Sequence, residues 1–112
     1  MLRLAVAICD MVRFELLKSA RNGDEMARLS RRFDALPNLR MEEQVWTRAL
    51  WVYQQLANQG GAHHRSVGHS DLLIAATAEL AGLPVLHYDE DFDRIAEITG
   101  QPTAWIAPRG SI

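Results

Sequence analysis

The residues with the most chemistry to offer in this chain are carboxylates. The chain has 14 acidic residues. Most sit where a helix start or a solvated helix face would put them, as Glu42, Glu43 and Glu97 do. Three are placed differently. Glu15 falls on the helix expected after the first strand. Asp71 falls in the first turn of an apolar helical stretch, Leu72-Leu73-Ile74-Ala75-Ala76. Asp89 follows directly on the apolar run Val85 to Tyr88. In an open parallel sheet, ligands collect beyond the carboxyl ends of the strands, and all three positions can reach that edge. Carboxylates converging there repel one another, and a hard divalent cation such as Mg²⁺ or Mn²⁺ resolves the repulsion. Each acid also has a structural reading. Asp71 serves as a helix-start acid, Asp89 as an Asx turn after a strand, and Glu15 as an exposed helix acid.

Competing constellations are weaker. Asp89-Glu90-Asp91-Phe92-Asp93 begins like a calcium-binding EF-hand loop, but that motif needs Gly where Arg94 stands and Glu where Gly100 stands. His63, His64, His69 and His87 lack any zinc-ligand spacing, and three of them share one polar loop, so solvated loop histidines are the better reading. His63, His64 and Arg65 closely precede Asp71; they read either as contacts to substrate phosphates or as polar loop surface. Trp46 and Tyr53 share a helix stripe, which favours packing over base stacking. Cys9 lies in an apolar run with no activating base beside it, which reads as core and not as a catalytic thiol. No phosphate-binding glycine loop is present.

The elements that must position these acids follow from periodicity. Leu4 to Cys9 is a short apolar run that predicts a strand buried on both faces. Val12 to Ala20 predicts a helix. Asp24 and Glu25 open a second one, with Met26, Leu29, Phe33 and Leu36 on its apolar face, and Pro37 stops it. Asn38 to Met41 predicts a short edge strand. Glu42 to Gln59 predicts a long helix with Val45, Ala49, Val52 and Leu56 on one stripe and Trp46, Leu50, Tyr53 and Ala57 on the next. Ala62 to His69 reads as a polar loop. Ser70 is the expected N-cap of a helix from Asp71 to Ala81, which Gly82-Leu83-Pro84 ends. Val85 to Tyr88 predicts a second buried strand, Phe92 to Thr99 a helix, and Thr103 to Ala107 a last strand. Strand and helix alternate, so the expected class is α/β with a mostly parallel sheet.

Composition bounds the rest. At 112 residues the chain suits a single domain with one core. One cysteine excludes an intrachain disulfide and fits a reducing compartment. No apolar run is long enough for a membrane span, so the expected location is the cytoplasm. With a formal net charge of -2, affinity for a nucleic acid would have to come from local arginines and bound metal.

The order of the acids along the chain carries a resemblance. VGHSDLLIAATAELAGLPVLHYDEDFDRIAEITG resembles the C-terminal half of PIN domains, specifically the VapC-type toxins of bacterial toxin–antitoxin pairs. It has an acid opening a D-L-L-I-A-A-x-A helix, then a strand ending in an acid followed by x-D-F. Upstream, VAICDMVRFELLKSA resembles the family's second segment, a strand and a helix bearing E-L-L. The resemblance implies a PIN-like three-layer α/β fold and a metal-dependent endoribonuclease. It implies Mg²⁺ or Mn²⁺ held by Glu15, Asp71 and Asp89, with Asp91 as an outer ligand. It also implies an RNA substrate, a cognate antitoxin and a homodimer. The family opens with a strand ending in D-T-S, whose Asp is a principal ligand, and no such segment is found here. The expectation is therefore an N-terminally incomplete domain over 1–112 that lacks the central strand of the sheet. An alternative class stays open, a catalytically dead PIN domain acting as a binding or dimerising module.

Overall fold

Spacing of apolar side chains sets the helices of this protein, and the computed structural model, which describes residues 6–111, shows which faces they bury. Contacts within the chain gather into two compact units, residues 1–41 and residues 42–112.

In the first unit, β1 (Ile8–Cys9) is followed by α1 (Asp10–Leu17) and α2 (Gly23–Asp34), and the chain returns as β2 (Asn38–Leu39). β1 and β2 are parallel, with Ile8 opposite Asn38 and Cys9 opposite Leu39. The two helices supply the long crossover that parallel neighbours require. Of the strand expected over Leu4–Cys9, Leu4 and Ala5 lie outside the described residues. Val6 is exposed, and only Ile8 and Cys9 pair and are buried. The partner limits the ladder: Pro37 has no N–H to donate, and its carbonyl instead accepts from the Ile8 N–H at 2.9 Å. Ile8 and Cys9 point to opposite faces of the strand, so their joint burial agrees with the two-sided reading. Cys9 is a buried free cysteine, as expected.

The Asn22 side chain caps α2 by accepting the Glu25 N–H at 2.9 Å. Asp24 and Glu25 lie in its first turn and Arg31 and Arg32 in its last, the polarity that a helix dipole favours. Neither α1 nor α2 has a fully buried residue. Met26 is exposed, while Leu29, Phe33 and Leu36 are half-buried.

The second unit is built on α3 (Glu43–Asn58) and α5 (His69–Ala81), joined by the single turn α4 (His63–Ser66) and followed by β3 (Val85–His87), α6 (Asp91–Thr99) and β4 (Thr103–Trp105). The stripe Val45, Ala49, Val52 and Leu56 is the buried face of α3, as its spacing predicts. α5 is buried on more than one face, through Leu72, Leu73, Ala75, Ala76, Thr77 and Ala78, and packs against both α3 and α6. Burial of this kind fixes the helix that carries Asp71. The Arg48 guanidinium of α3 donates to both Glu79 oxygens of α5, at 2.7 and 3.1 Å, and lies over the Trp51 ring. α5 ends in a Schellman motif, with Leu83 N–H on the Ala78 carbonyl and Gly82 N–H on that of Glu79. Gly82 takes the left-handed conformation there (φ 69), which glycine adopts without steric cost.

β3 and β4 are parallel, with Val85, Leu86 and His87 opposite Thr103, Ala104 and Trp105, and α6 forms their crossover. Val85 and His87 are buried while Leu86 is exposed, so β3 alternates where the sequence suggested burial on both faces. No helix among the described residues is long and apolar enough to cross a membrane.

Two local readings need correction. The stretch expected as a polar loop over Ala62–His69 contains α4, entered through Ala62 in the left-handed region. A single turn has no apolar periodicity to announce it. The N-cap of α5 is Gly68, with no side-chain cap; Ser70 lies inside the first turn.

Candidate metal centre

Asp71 is the third residue of α5, held by a helix whose next two residues are core. It is half-buried, and its negative charge faces the positive end of the helix dipole. Asp89 and Asp91 come from the turn between β3 and α6. The Asp89 carboxylate accepts the Asp91 N–H at 2.9 Å, an Asx turn that makes Asp91 the first residue of α6. Among the described residues, these three acids gather: each offers a carboxylate oxygen, and the three oxygens lie within 4.8 Å of one another. Asp89 is exposed, and Asp71 and Asp91 are half-buried. The structural roles therefore hold alongside the cluster; a helix-start acid and an Asx-turn acid are what the fold brings together.

The electrostatics fit that grouping. The Asp91 carboxyl is held above its ordinary value, first by partial burial and then by the charge of Asp89, with Glu90 adding to it. The Gly68 backbone N–H and the Arg94 guanidinium pull the other way. Gly68 precedes α5, so one backbone amide ties the start of that helix to the first acid of α6. Arg94 also donates to the Ser66 hydroxyl at 2.8 Å and sits 3.6 Å from Glu90, which pairs with Arg109 as well. Three hard oxygen donors with a raised carboxyl among them suit a divalent cation with oxygen ligands, and no sulfur or imidazole donor belongs to the group.

Glu15 is not among the gathered acids. It lies on α1 in the first unit, half-buried and paired with Lys18 at 3.0 Å. Arg65 is exposed on α4. His64 is half-buried on the same turn, its ring edge-on to Tyr53 at 5.6 Å between centroids. His64 is therefore a packed residue where a solvated loop side chain was expected. His69 is exposed and also meets Tyr53 edge-on.

Sequence reasoning missed three contributors. Gly68 acts through its amide, which residue type does not reveal. Arg94 belongs to the site's surroundings only because α4 and α6 come together. His87, weighed only as a zinc ligand, is buried and accepts the Asp89 N–H on Nδ1 at 3.2 Å. Its position two residues before an acid at a strand end was the available signal.

Residues 2–98 match the PIN domain family. The chain is 49% identical over 107 residues to Ribonuclease VapC18 of Mycobacterium tuberculosis, a match spanning 96% of this chain and 78% of that protein. It is 42% identical over 107 residues to Ribonuclease VapC21 of the same species, covering 95% of this chain and 76% of the relative. Among solved structures, VapBC2 from Rickettsia felis, determined bound to a DNA fragment from its promoter, superposes with a TM-score of 0.67 at 18% identity, over 90% of this chain and 74% of that one.

Proposed function

Since the chain belongs to the PIN-domain family and has an α/β fold of that kind, we propose that it is a VapC-type toxin, an Mg²⁺- or Mn²⁺-dependent endoribonuclease held in check by a cognate antitoxin. The observation that carries the reading is the convergence of Asp71, Asp89 and Asp91 within 4.8 Å. Relatives that are 42–49% identical to it over 107 residues bear the name ribonuclease VapC, and one structural neighbour is VapBC2, a toxin–antitoxin pair.

In this reading Asp71, Asp89 and Asp91 hold the cation. A divalent ion bound by carboxylates lowers the pKa of water and offsets negative charge on a phosphodiester. The protein's own groups do the rest. α5 fixes Asp71 because its neighbours Leu72 and Leu73 are buried. The Asx turn holds Asp89 and Asp91 to one local geometry. The Gly68 amide anchors the Asp91 carboxylate and limits the repulsion it feels before a cation arrives. Glu15 is proposed as a further acid of the reaction on the sequence resemblance alone. Arg65 and His64, on α4, are proposed as weaker contacts to substrate phosphates.

The test is RNA cleavage by the purified chain with Mg²⁺ or Mn²⁺ and with EDTA, beside calorimetric titration of Mn²⁺. Cleavage that needs the ion, with measurable Mn²⁺ binding, is the expected result. An absence of Mn²⁺ binding, or cleavage indifferent to EDTA, overturns the metal mechanism. Mn²⁺ binding without cleavage of any RNA favours the binding-module alternative.

A further inference from the structure

We propose that His87 is the positioning residue for Asp89: its buried ring accepts the Asp89 backbone N–H and so sets the direction in which that carboxylate leaves β3. The inference rests on the metal-site reading above and goes beyond it in assigning a residue that is not itself a ligand.

Two local bonds run in series along the turn. His87 Nδ1 accepts the N–H of Asp89 at 3.2 Å, and Asp89 Oδ1 accepts the N–H of Asp91 at 2.9 Å. Each side chain captures the amide two residues on, which is the geometry of an Asx turn with imidazole standing in for the first acceptor. The backbone that presents both carboxylates is thus pinned twice, and the first pin is His87. The ring is itself immobilised. Its side chain is 1% exposed, and it packs against Phe92 and Trp105 with centroids 5.0 and 4.9 Å away. Accepting at Nδ1 leaves the ring hydrogen on Nε2. That nitrogen faces Asp93 at 3.7 Å, beyond hydrogen-bond distance, and is buried with no hydrogen-bond partner among the described residues. The Asp93 carboxylate is held in turn by the Trp105 indole N–H at 3.1 Å.

Packing alone does not account for imidazole here. An aliphatic or phenyl side chain would fill a buried strand position without leaving a polar nitrogen unsatisfied, which costs stability. What an apolar side chain lacks is the acceptor at Nδ1, and the group using that acceptor is the amide of a cluster acid. Outer-shell groups that orient metal-binding side chains commonly change affinity when removed.

Two substitutions separate acceptor from packing. His87→Phe keeps a ring between Phe92 and Trp105 and removes the acceptor. His87→Asn removes the ring and supplies an amide oxygen two residues before Asp89. Mn²⁺ affinity by calorimetry, the melting temperature, and hydrogen exchange of the Asp89 amide by NMR are read for both in the full chain. The expected result is a Mn²⁺ affinity lowered roughly 10- to 100-fold in His87→Phe, with a fast-exchanging Asp89 amide. His87→Asn should keep near-native affinity and a protected amide, even if it melts lower. Native-like affinity in His87→Phe, or an equal loss in folded His87→Asn, overturns the proposal while leaving the metal site standing. Should His87→Phe unfold at the assay temperature, folded His87→Asn decides by the same criterion. A native chain that binds no Mn²⁺ overturns the metal reading and this inference with it.

Discussion

Replacing Asp89 by Asn should raise the stability of the metal-free protein and lower its gain from Mn²⁺. The substitution keeps an Oδ1 to accept the Asp91 N–H, so the turn that starts α6 is retained. What it removes is one negative charge within 4.8 Å of two others. At that separation the repulsion per pair is about 1 kcal/mol in bulk water and about 3.5 kcal/mol at an effective dielectric near 20. Asp89 is exposed, so the value near 1 kcal/mol applies after screening. For a domain of this size that corresponds to a rise of about 4 °C in melting temperature. With Mn²⁺ at 100 times its dissociation constant, the native protein gains about 2.7 kcal/mol by linkage, and the variant less. The two proteins should therefore cross: the variant melts higher in EDTA and lower in Mn²⁺.

The pH dependence carries its own sign. Asp91's folded pKa is raised above its ordinary 3.8, so the folded state binds more protons than the unfolded one in that window. Its contribution is most favourable below 3.8 and is lost as pH rises through the raised value. The negative charge of Asp89 contributes to the raise, so D89N should flatten this part of the metal-free melting profile. Differential scanning calorimetry from about pH 3.5 upward measures both effects. Equal Mn²⁺ stabilisation in D89N and native protein refutes the metal site. A D89N protein that melts lower in EDTA refutes the charge-opposition argument.

Other expectations follow from single contacts. Asp71→Asn and Asp91→Asn should each slow RNA cleavage by at least about tenfold with the fold intact by circular dichroism. Glu15→Gln should slow cleavage while hardly moving the melting temperature, because its pairing with Lys18 is exposed and such pairs are worth under about 1 kcal/mol; unchanged cleavage removes Glu15 from the site. Arg48→Ala leaves Glu79, a part-buried carboxylate, without its bidentate partner, and should cost about 1–2 kcal/mol in denaturant titration. Coupling near zero in a double-mutant cycle with Glu79→Gln would mean that the pair contributes nothing. Self-association, proposed from the family resemblance, is supported by Trp46 and Leu50, which are 50% and 68% exposed beside a cleft also lined by Tyr53, Leu72 and Leu73. Light scattering should show a dimer that Leu50→Glu dissociates, and a native chain that stays monomeric at high concentration argues against the idea.

What the sequence determined by itself is what depends on near neighbours. The buried stripe of α3 follows from spacing of three and four, since residues so spaced share a helix face. The α/β class follows from alternating strand and helix patterns. Asp71 at a helix start and Asp89 at a strand end were legible for the same reason, and the family resemblance joined them into one site. Tertiary structure decided the rest. β1 paired over two residues where its partner strand follows directly on Pro37, a limit that lies far along the chain. α4 formed from a single turn too short to carry a periodic signal. Gly68 reached Asp91, and Arg94 reached Ser66, because separate elements pack together. His87 lies close enough to Asp89 for the bond between them to be local. Yet whether that imidazole would turn outward to water or inward to an amide depended on the burial that Phe92 and Trp105 provide. Local spacing can say which way a residue points along its own element. Which distant groups meet it, and with what loss of water, is settled only when the elements pack.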